Sequence, residues 1–187
     1  MSEKLHYYDL QRRMLYSDAF GYASSRLLRR NVMIINADCY LGKGFEKLKP
    51  ELLQQGALYA LSRHERPEAV KHCGAFEHCG ENSHYHGAHD AYLFHLRKPL
   101  SEDFLNKVGY TVDMYGMEQV LLYYLRQHED FTIKNPCKIL EIVHHHCSKL
   151  RHPEIRVVDG QMRLDNYLGL RSGTVPYHLL VAPFSGL

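Results

Sequence analysis

Val32-Met33-Ile34-Ile35-Asn36-Ala37-Asp38 is the stretch on which the reading of this chain turns. Four apolar residues in a row, with no polar alternation, predict a short strand covered on both faces, and the run stops at Asn36-Ala37-Asp38. Asp38 therefore stands just past the carboxyl end of a buried strand. Upstream, residues 17 to 30 predict an amphipathic helix: Ser17 can cap it, and Phe20, Ala23, Leu27 and Leu28 recur at helical spacing opposite Arg26, Arg29 and Arg30. Downstream, Gly42 and Gly44 permit a tight turn into a helix carrying Phe45, Leu48, Leu52 and Leu53, and Ala57 to Leu61 is a second apolar run. Helix, strand, helix, strand predicts an α/β fold: a mostly parallel or mixed sheet flanked by helices, with ligands at the carboxyl ends of its strands.

Residues 62 to 90 break that rhythm, forming a long polar loop rich in His and containing Cys. Tyr92 to Leu96 resumes the strand pattern. Asp113 to about His128 predicts a strong helix with Met117, Val120, Leu121, Tyr124 and Leu125 on one face. Phe131 to Ile133 reads as a short strand, Asn135-Pro136 as a turn, and Ile139 to Val143 leads into His144-His145-His146-Cys147. Ile155 to Val158 and Tyr177 to Val181 are further strand-like pieces.

At 187 residues the chain is expected to be one domain, able to bury about 70% of its unfolded surface. A net charge of +2, with acids and bases interspersed, gives no nucleic-acid footprint. No apolar stretch approaches the roughly 20 residues of a membrane span, and Met1 to Leu10 lacks the apolar centre of a signal peptide. Five cysteines, an odd number, predict reduced thiols rather than a disulfide framework, hence a cytoplasmic or nuclear chain. Fourteen histidines are the compositional oddity, and they direct attention to metal ligation and proton transfer.

Four constellations could carry chemistry. Asp38 can hold a hard divalent cation against a diphosphate, because such ions take oxygen ligands and share them with phosphates; its plainer role is to cap the turn. Asp90, beside the next strand, could reach a sugar hydroxyl or simply close a turn. Asp113 opens a helix, where a carboxylate is either a cap or, with substrate held against it, a proton acceptor; Glu118 is a weaker candidate one turn on. His144 and His146 fall on one face of an extended segment and His145 on the other, so the pair suits a metal or a phosphate, and Lys149 and Arg151 add charge able to neutralise a diphosphate. His72, Cys73, His78, Cys79, His84, His86 and His89 form a rival group for Zn²⁺, a weak one because the run as a whole does not closely match a standard zinc motif.

In order along the chain, Tyr16 to Phe20, Ile34 to Tyr40, Ala60-Leu61-Ser62-Arg63-His64-Glu65, Gly87 to Phe94, Gly109 to Asp113, Asn135-Pro136 and His144-x-His146-x-Ser148 resemble a family of glycosyltransferases with a nucleotide-diphospho-sugar (GT-A-like) fold. The resemblance implies hexosyl transfer from a nucleoside diphosphate sugar to an acceptor hydroxyl. It implies that Asp38 with His144 or His146 holds Mn²⁺ or Mg²⁺ on the diphosphate, assisted by Lys149 and Arg151. It also implies that Asn36 contacts the donor side, that Arg63 contacts donor or acceptor, and that Asp113 or Asp90 orients or deprotonates the acceptor. Too little chain precedes Asp38 for the half of such a domain that carries the nucleobase pocket. The expectation is therefore a partial domain, as a fragment of a longer protein, a degenerate copy or one part of an assembly whose partner chain supplies the rest; the alternative is a truncated, non-catalytic transferase-like or zinc-binding module.

Overall fold

The computed structural model describes residues 6–83, 88–110, 117–145 and 177–187. Helix α1 (Tyr16–Arg26) leads into β1 (Asn31–Ile35) and β2 (Cys39–Leu41); a 3-10 turn (Phe45–Lys47) and α2 (Pro50–Gln54) follow. Then come β3 (Ala57–Leu61), β4 (His64–Glu65), α3 (Pro67–Cys73), β5 (Ala91–His95), α4 (Glu102–Lys107), α5 (Met117–His128), β6 (Thr132–Lys134) and β7 (Ile142–His144), with a final helical turn at Tyr177–Leu180. The strands make two sheets, one in the order β1-β5-β3-β6 and a smaller one in the order β2-β7-β4.

The α/β class stands, and the sheets are mixed. In the larger sheet β3 and β6 are parallel, while β5 lies between β1 and β3 and runs antiparallel to both. Apolar runs locate strands without giving their direction, and the connection from β3 to β5 is no simple helical crossover, so β5 is free to return the other way. β1 is accordingly an edge strand: Val32 is buried and Met33, Ile34 and Ile35 are half-buried, short of the full cover expected for this run. β3 and β5 do match a doubly covered strand, with every residue buried.

Alternation along these strands separates two cores. Leu58, Ala60, Tyr92 and Phe94 face α1, α4 and α5, where Phe20 stacks on Phe94 at 5.3 Å and meets Phe104 edge-on at 5.7 Å. Ala57, Tyr59, Leu61, Ala91 and Leu93 face the other way, against Leu53 of α2 and against Leu140 and Ile142 at the small sheet.

Three local expectations change. Helix α1 begins at Tyr16 and ends at Arg26; Asp18, rather than Ser17, satisfies its start by accepting from the Leu15 N–H at 2.8 Å. Residues 62 to 90 are not simply a loop, since they contain β4 and α3. That helix shows no apolar stripe and is defined by its ends, Pro67 at the first turn and Gly74 at φ +62° as the C-cap. Tyr177–Leu180 is helical, not extended, and Ile155 to Val158 lies outside the described residues.

The cysteines also depart from expectation. Cys79 and Cys137, 58 residues apart, form a disulfide, Cys73 is disulfide-bonded too, and Cys39 is a free thiol. An odd count leaves one cysteine over without keeping the rest reduced. No helix among the described residues is long and apolar enough to cross a membrane.

Candidate functional site

The chain passes directly from the large sheet to the small one three times: from β1 to β2, from β3 to β4, and from β6 to β7. Because β5 runs opposite to its neighbours, its first residues lie at the same end as the last residues of β1 and β3. Backbone bonds continue the ladder there, from Asn36 N to Asp90 O at 3.0 Å and from Asp90 N to Leu61 O at 3.0 Å. Asn36, Asp38, Ser62, Arg63, Asp90 and Asn135 thus share one junction, at the carboxyl ends of the strands as the sequence predicts.

The small sheet brings in the remaining groups. Its register sets His144 opposite Cys39 on one side and Glu65 on the other, and the His145 N–H donates to the Asp38 carbonyl at 2.8 Å. His144 is buried and His145 exposed, the alternation expected of an extended segment.

A chain of polar contacts runs through the junction. Asn36 Nδ2 donates to Asp90 Oδ1 at 2.7 Å, and Arg63 donates through Nη1 to Asp90 Oδ2 at 3.0 Å and through Nε to Glu65 Oε1 at 2.7 Å. His144 Nδ1 lies 2.9 Å from Glu65 Oε2, and its Nε2 lies 3.2 Å from Asp38 Oδ2. The Glu65 side chain is 1% exposed and that of His144 5%, whereas Asp38 is 37% exposed. The chain is therefore sealed at its centre and opens to solvent at Asp38.

Electrostatics follow the geometry. Burial works against the Arg63 charge, but the carboxylates of Asp90 and Glu65 outweigh it and raise its pKa, so Arg63 is a fixed cation. Burial first, then the carboxylates of Asp90 and Asp38, push the Cys39 thiol up to about 12. Cys39 is thus a protonated packing group. Asp38, Glu65 and Asp90 bring three negative charges against one from Arg63. Among the contacts described, three carboxylates thus face one guanidinium.

Of the residues singled out in the sequence, Asp38, His144, Asp90, Arg63 and Asn36 come together here. Arg63 and Asn36 spend their donors on Asp90 and Glu65 within the protein. Asp113, His146, Lys149 and Arg151 lie outside the described residues, as do His84 and His86 of the rival zinc group. Cys73 and Cys79 of that group supply no thiolate, being disulfide-bonded. No group of three or more His, Cys, Asp or Glu able to hold a metal occurs among the described residues.

Glu65, Ser62, Asn135 and Glu77 carry no site role in the sequence reading, which takes Asn135 only as part of a turn. Asn135 is fully buried: its Oδ1 accepts from the Ser62 N–H at 3.2 Å, and its Nδ2 donates to Ser62 Oγ at 3.0 Å. Glu77 braces β4 from behind by accepting from the Glu65 N–H at 2.9 Å. The available signal for Glu65 was the Arg63-x-Glu65 spacing, which places both side chains on one side of an extended segment.

Comparison with protein-family models, with curated proteins and with solved structures gave no match to this chain.

Proposed function

We propose that this junction binds a divalent cation and, with it, the diphosphate of a nucleotide sugar, for hexosyl transfer to an acceptor hydroxyl. The observation that carries the reading is the Asp38–His144 contact. If Nδ1–H of a neutral ring donates to Glu65, Nε2 presents a lone pair to the lone pairs of Asp38 Oδ2 at 3.2 Å, and a positive charge must stand between them. A proton on Nε2 would serve, and so would a metal ion.

The donor set suits the ion. A separation of 3.2 Å is what neighbouring nitrogen and oxygen ligands at roughly 2.1 Å from one ion adopt. A buried carboxylate on the far ring nitrogen is the usual support of a metal-binding histidine. A cation would also offset the excess of carboxylates among these contacts. Asp38 and His144 would hold the cation, and the open side at Asp38 leaves room for phosphate oxygens to complete its shell. Bound there, a divalent ion supplies Lewis-acid stabilisation of a diphosphate leaving group.

The chain's own residues have separable tasks. Glu65 fixes the His144 tautomer, and Arg63 holds Glu65 and Asp90 in register. Asp90, anchored through both oxygens, suits orienting an acceptor better than carrying a proton away. That leaves the base role to Asp113, the other of the two residues to which the resemblance assigns it. One observation favours a second reading, that of a non-catalytic module: Asn36, Asp90, Arg63 and Glu65 satisfy one another and would tie the two sheets together with no ligand at all.

Thermal unfolding with Mn²⁺ and a panel of nucleoside diphosphate sugars separates the two readings. Transferase chemistry requires a cation-dependent rise in melting temperature that Asp38→Asn removes, since a ligand bound only by the folded state must stabilise it. A wild-type protein indifferent to every pairing of cation and sugar nucleotide supports the module.

A further inference from the structure

Two arginines stand near the Asp38–His144 pair, and they differ in what they hold. Arg63 is paired through Nε with Glu65 and through Nη1 with Asp90. Arg66 has one long contact, Nη2 to the His145 carbonyl at 3.4 Å, and its Nε is buried with no hydrogen-bond partner. Among the described residues it forms no ion pair. A guanidinium always carries its charge and its N–H donors, and a buried donor with no acceptor is rare enough in native proteins to need a reason.

Its placement suggests one. The His145 backbone is bonded on one side to Asp38, through its N–H, and on the other to Arg66, through its carbonyl. The small sheet therefore carries Asp38 on one flank and Arg66 on the other, two strand spacings apart, or about 10 Å between their backbones. A diphosphate lying across the end of β7 could meet the cation-binding pair with one phosphate and a long arginine side chain with the other. Letting go of a 3.4 Å contact sacrifices little, and the forked guanidinium matches phosphate oxygens.

We infer that Arg66 is the anion-binding residue of this site, taking the second phosphate of a diphosphate whose first phosphate sits at Asp38 and His144; the inference rests on the cation-binding reading of that pair. The guanidinium then gains acceptors of full negative charge in place of one long carbonyl contact.

Calorimetric titration with inorganic pyrophosphate, with and without Mn²⁺, tests it on the full chain. Arg66→Ala should weaken pyrophosphate roughly ten-fold or more, and Arg66→Lys should recover part of the loss by restoring charge without the fork. Binding of Mn²⁺ alone should be the same in both variants and in wild type, which also reports that the variants are folded. Pyrophosphate affinity that is equal in wild type and Arg66→Ala, or absent from wild type, overturns the assignment. The cation reading is judged separately: it fails if Mn²⁺ alone does not bind wild type, or binds Asp38→Asn equally well, whatever happens at Arg66.

Discussion

Glu65 accepts from Arg63 and from His144 at once while 1% exposed, so no water is available to replace either partner. Removing its charge leaves a buried guanidinium short of an acceptor, and breaking a buried pair from one side typically costs about 3–5 kcal/mol. Glu65→Gln should lower stability by an amount in that range in urea titration and, by releasing the His144 tautomer, weaken Mn²⁺ by roughly 10–100-fold. A loss of stability with unchanged Mn²⁺ affinity would mark Glu65 as a brace for the sheets alone. Asp18 differs because it lies near the surface. The hydrogen bond from Arg12 chiefly lowers its pKa, and its cap on the Leu15 N–H adds to the effect. A depressed carboxyl contributes stability that is whole above its unfolded pKa and is lost as the pH falls through its folded value. Asp18→Ala should therefore cost about 1 kcal/mol at pH 7 through the lost cap, and the gap between variant and wild type should narrow towards pH 3. Urea midpoints across that range measure it.

At the scale of elements, what the sequence showed and what it hid follow from length and burial. Ala57–Leu61 and the strand from residue 92 stood out because a run buried on both faces has to be apolar throughout. β2 and β4 did not, because strands of three and two residues have too few positions to show a period. The small sheet made from them was invisible for that reason, and with it the place of Glu65. Asp38 and His144 were legible because each ends or follows an apolar run, yet their contact depends on β2 pairing with β7 across about a hundred residues, which no local pattern encodes. That pairing has a weak point at Gly44. Its φ is +93°, and a Cβ there would stand 1.6 Å from the Ile139 carbonyl oxygen, which is backbone and cannot turn aside. Gly44→Ala must push β2 away from the segment leading into β7, so the Asp38–His144 distance should grow. We expect a loss of more than about 3 kcal/mol in denaturant titration, beyond the strain of a left-handed residue alone, together with weaker Mn²⁺ binding. A variant as stable as wild type would mean that this turn does not hold the sheets in register.

Over the whole molecule, the junction is held from three directions. Ser62 and Asn135 join β3 to the end of β6, and the C-terminal segment closes over the same point: the Ser185 N–H donates to the Asn135 carbonyl at 3.1 Å, and Ser185 Oγ accepts from the Asn135 N–H at 3.1 Å. Arg126 of α5 grips that segment upstream through the carbonyls of Leu179 and Val181, both at 2.7 Å. The third tie is covalent. Cys137 follows Asn135 by two residues, and its carbonyl accepts from His64 Nε2 at 2.9 Å; Cys79 donates its N–H to Glu77, the residue that braces β4. The disulfide therefore links the backing of β4 to the turn before β7, the two strands that hold Glu65 and His144. Closing a loop of 58 residues removes enough freedom from the unfolded chain to contribute about 4 kcal/mol on the loop-entropy account. Both sulfurs are buried, so a reductant should reach them only through local opening. Two results are expected of the double variant Cys79→Ala, Cys137→Ala. Its urea midpoint should fall by the equivalent of that stabilisation, and hydrogen exchange should speed up first at β4 and at the turn before β7, ahead of β3 and β5. Uniform acceleration across both sheets would mean that the bond supports the fold as a whole and has no particular part in holding the junction.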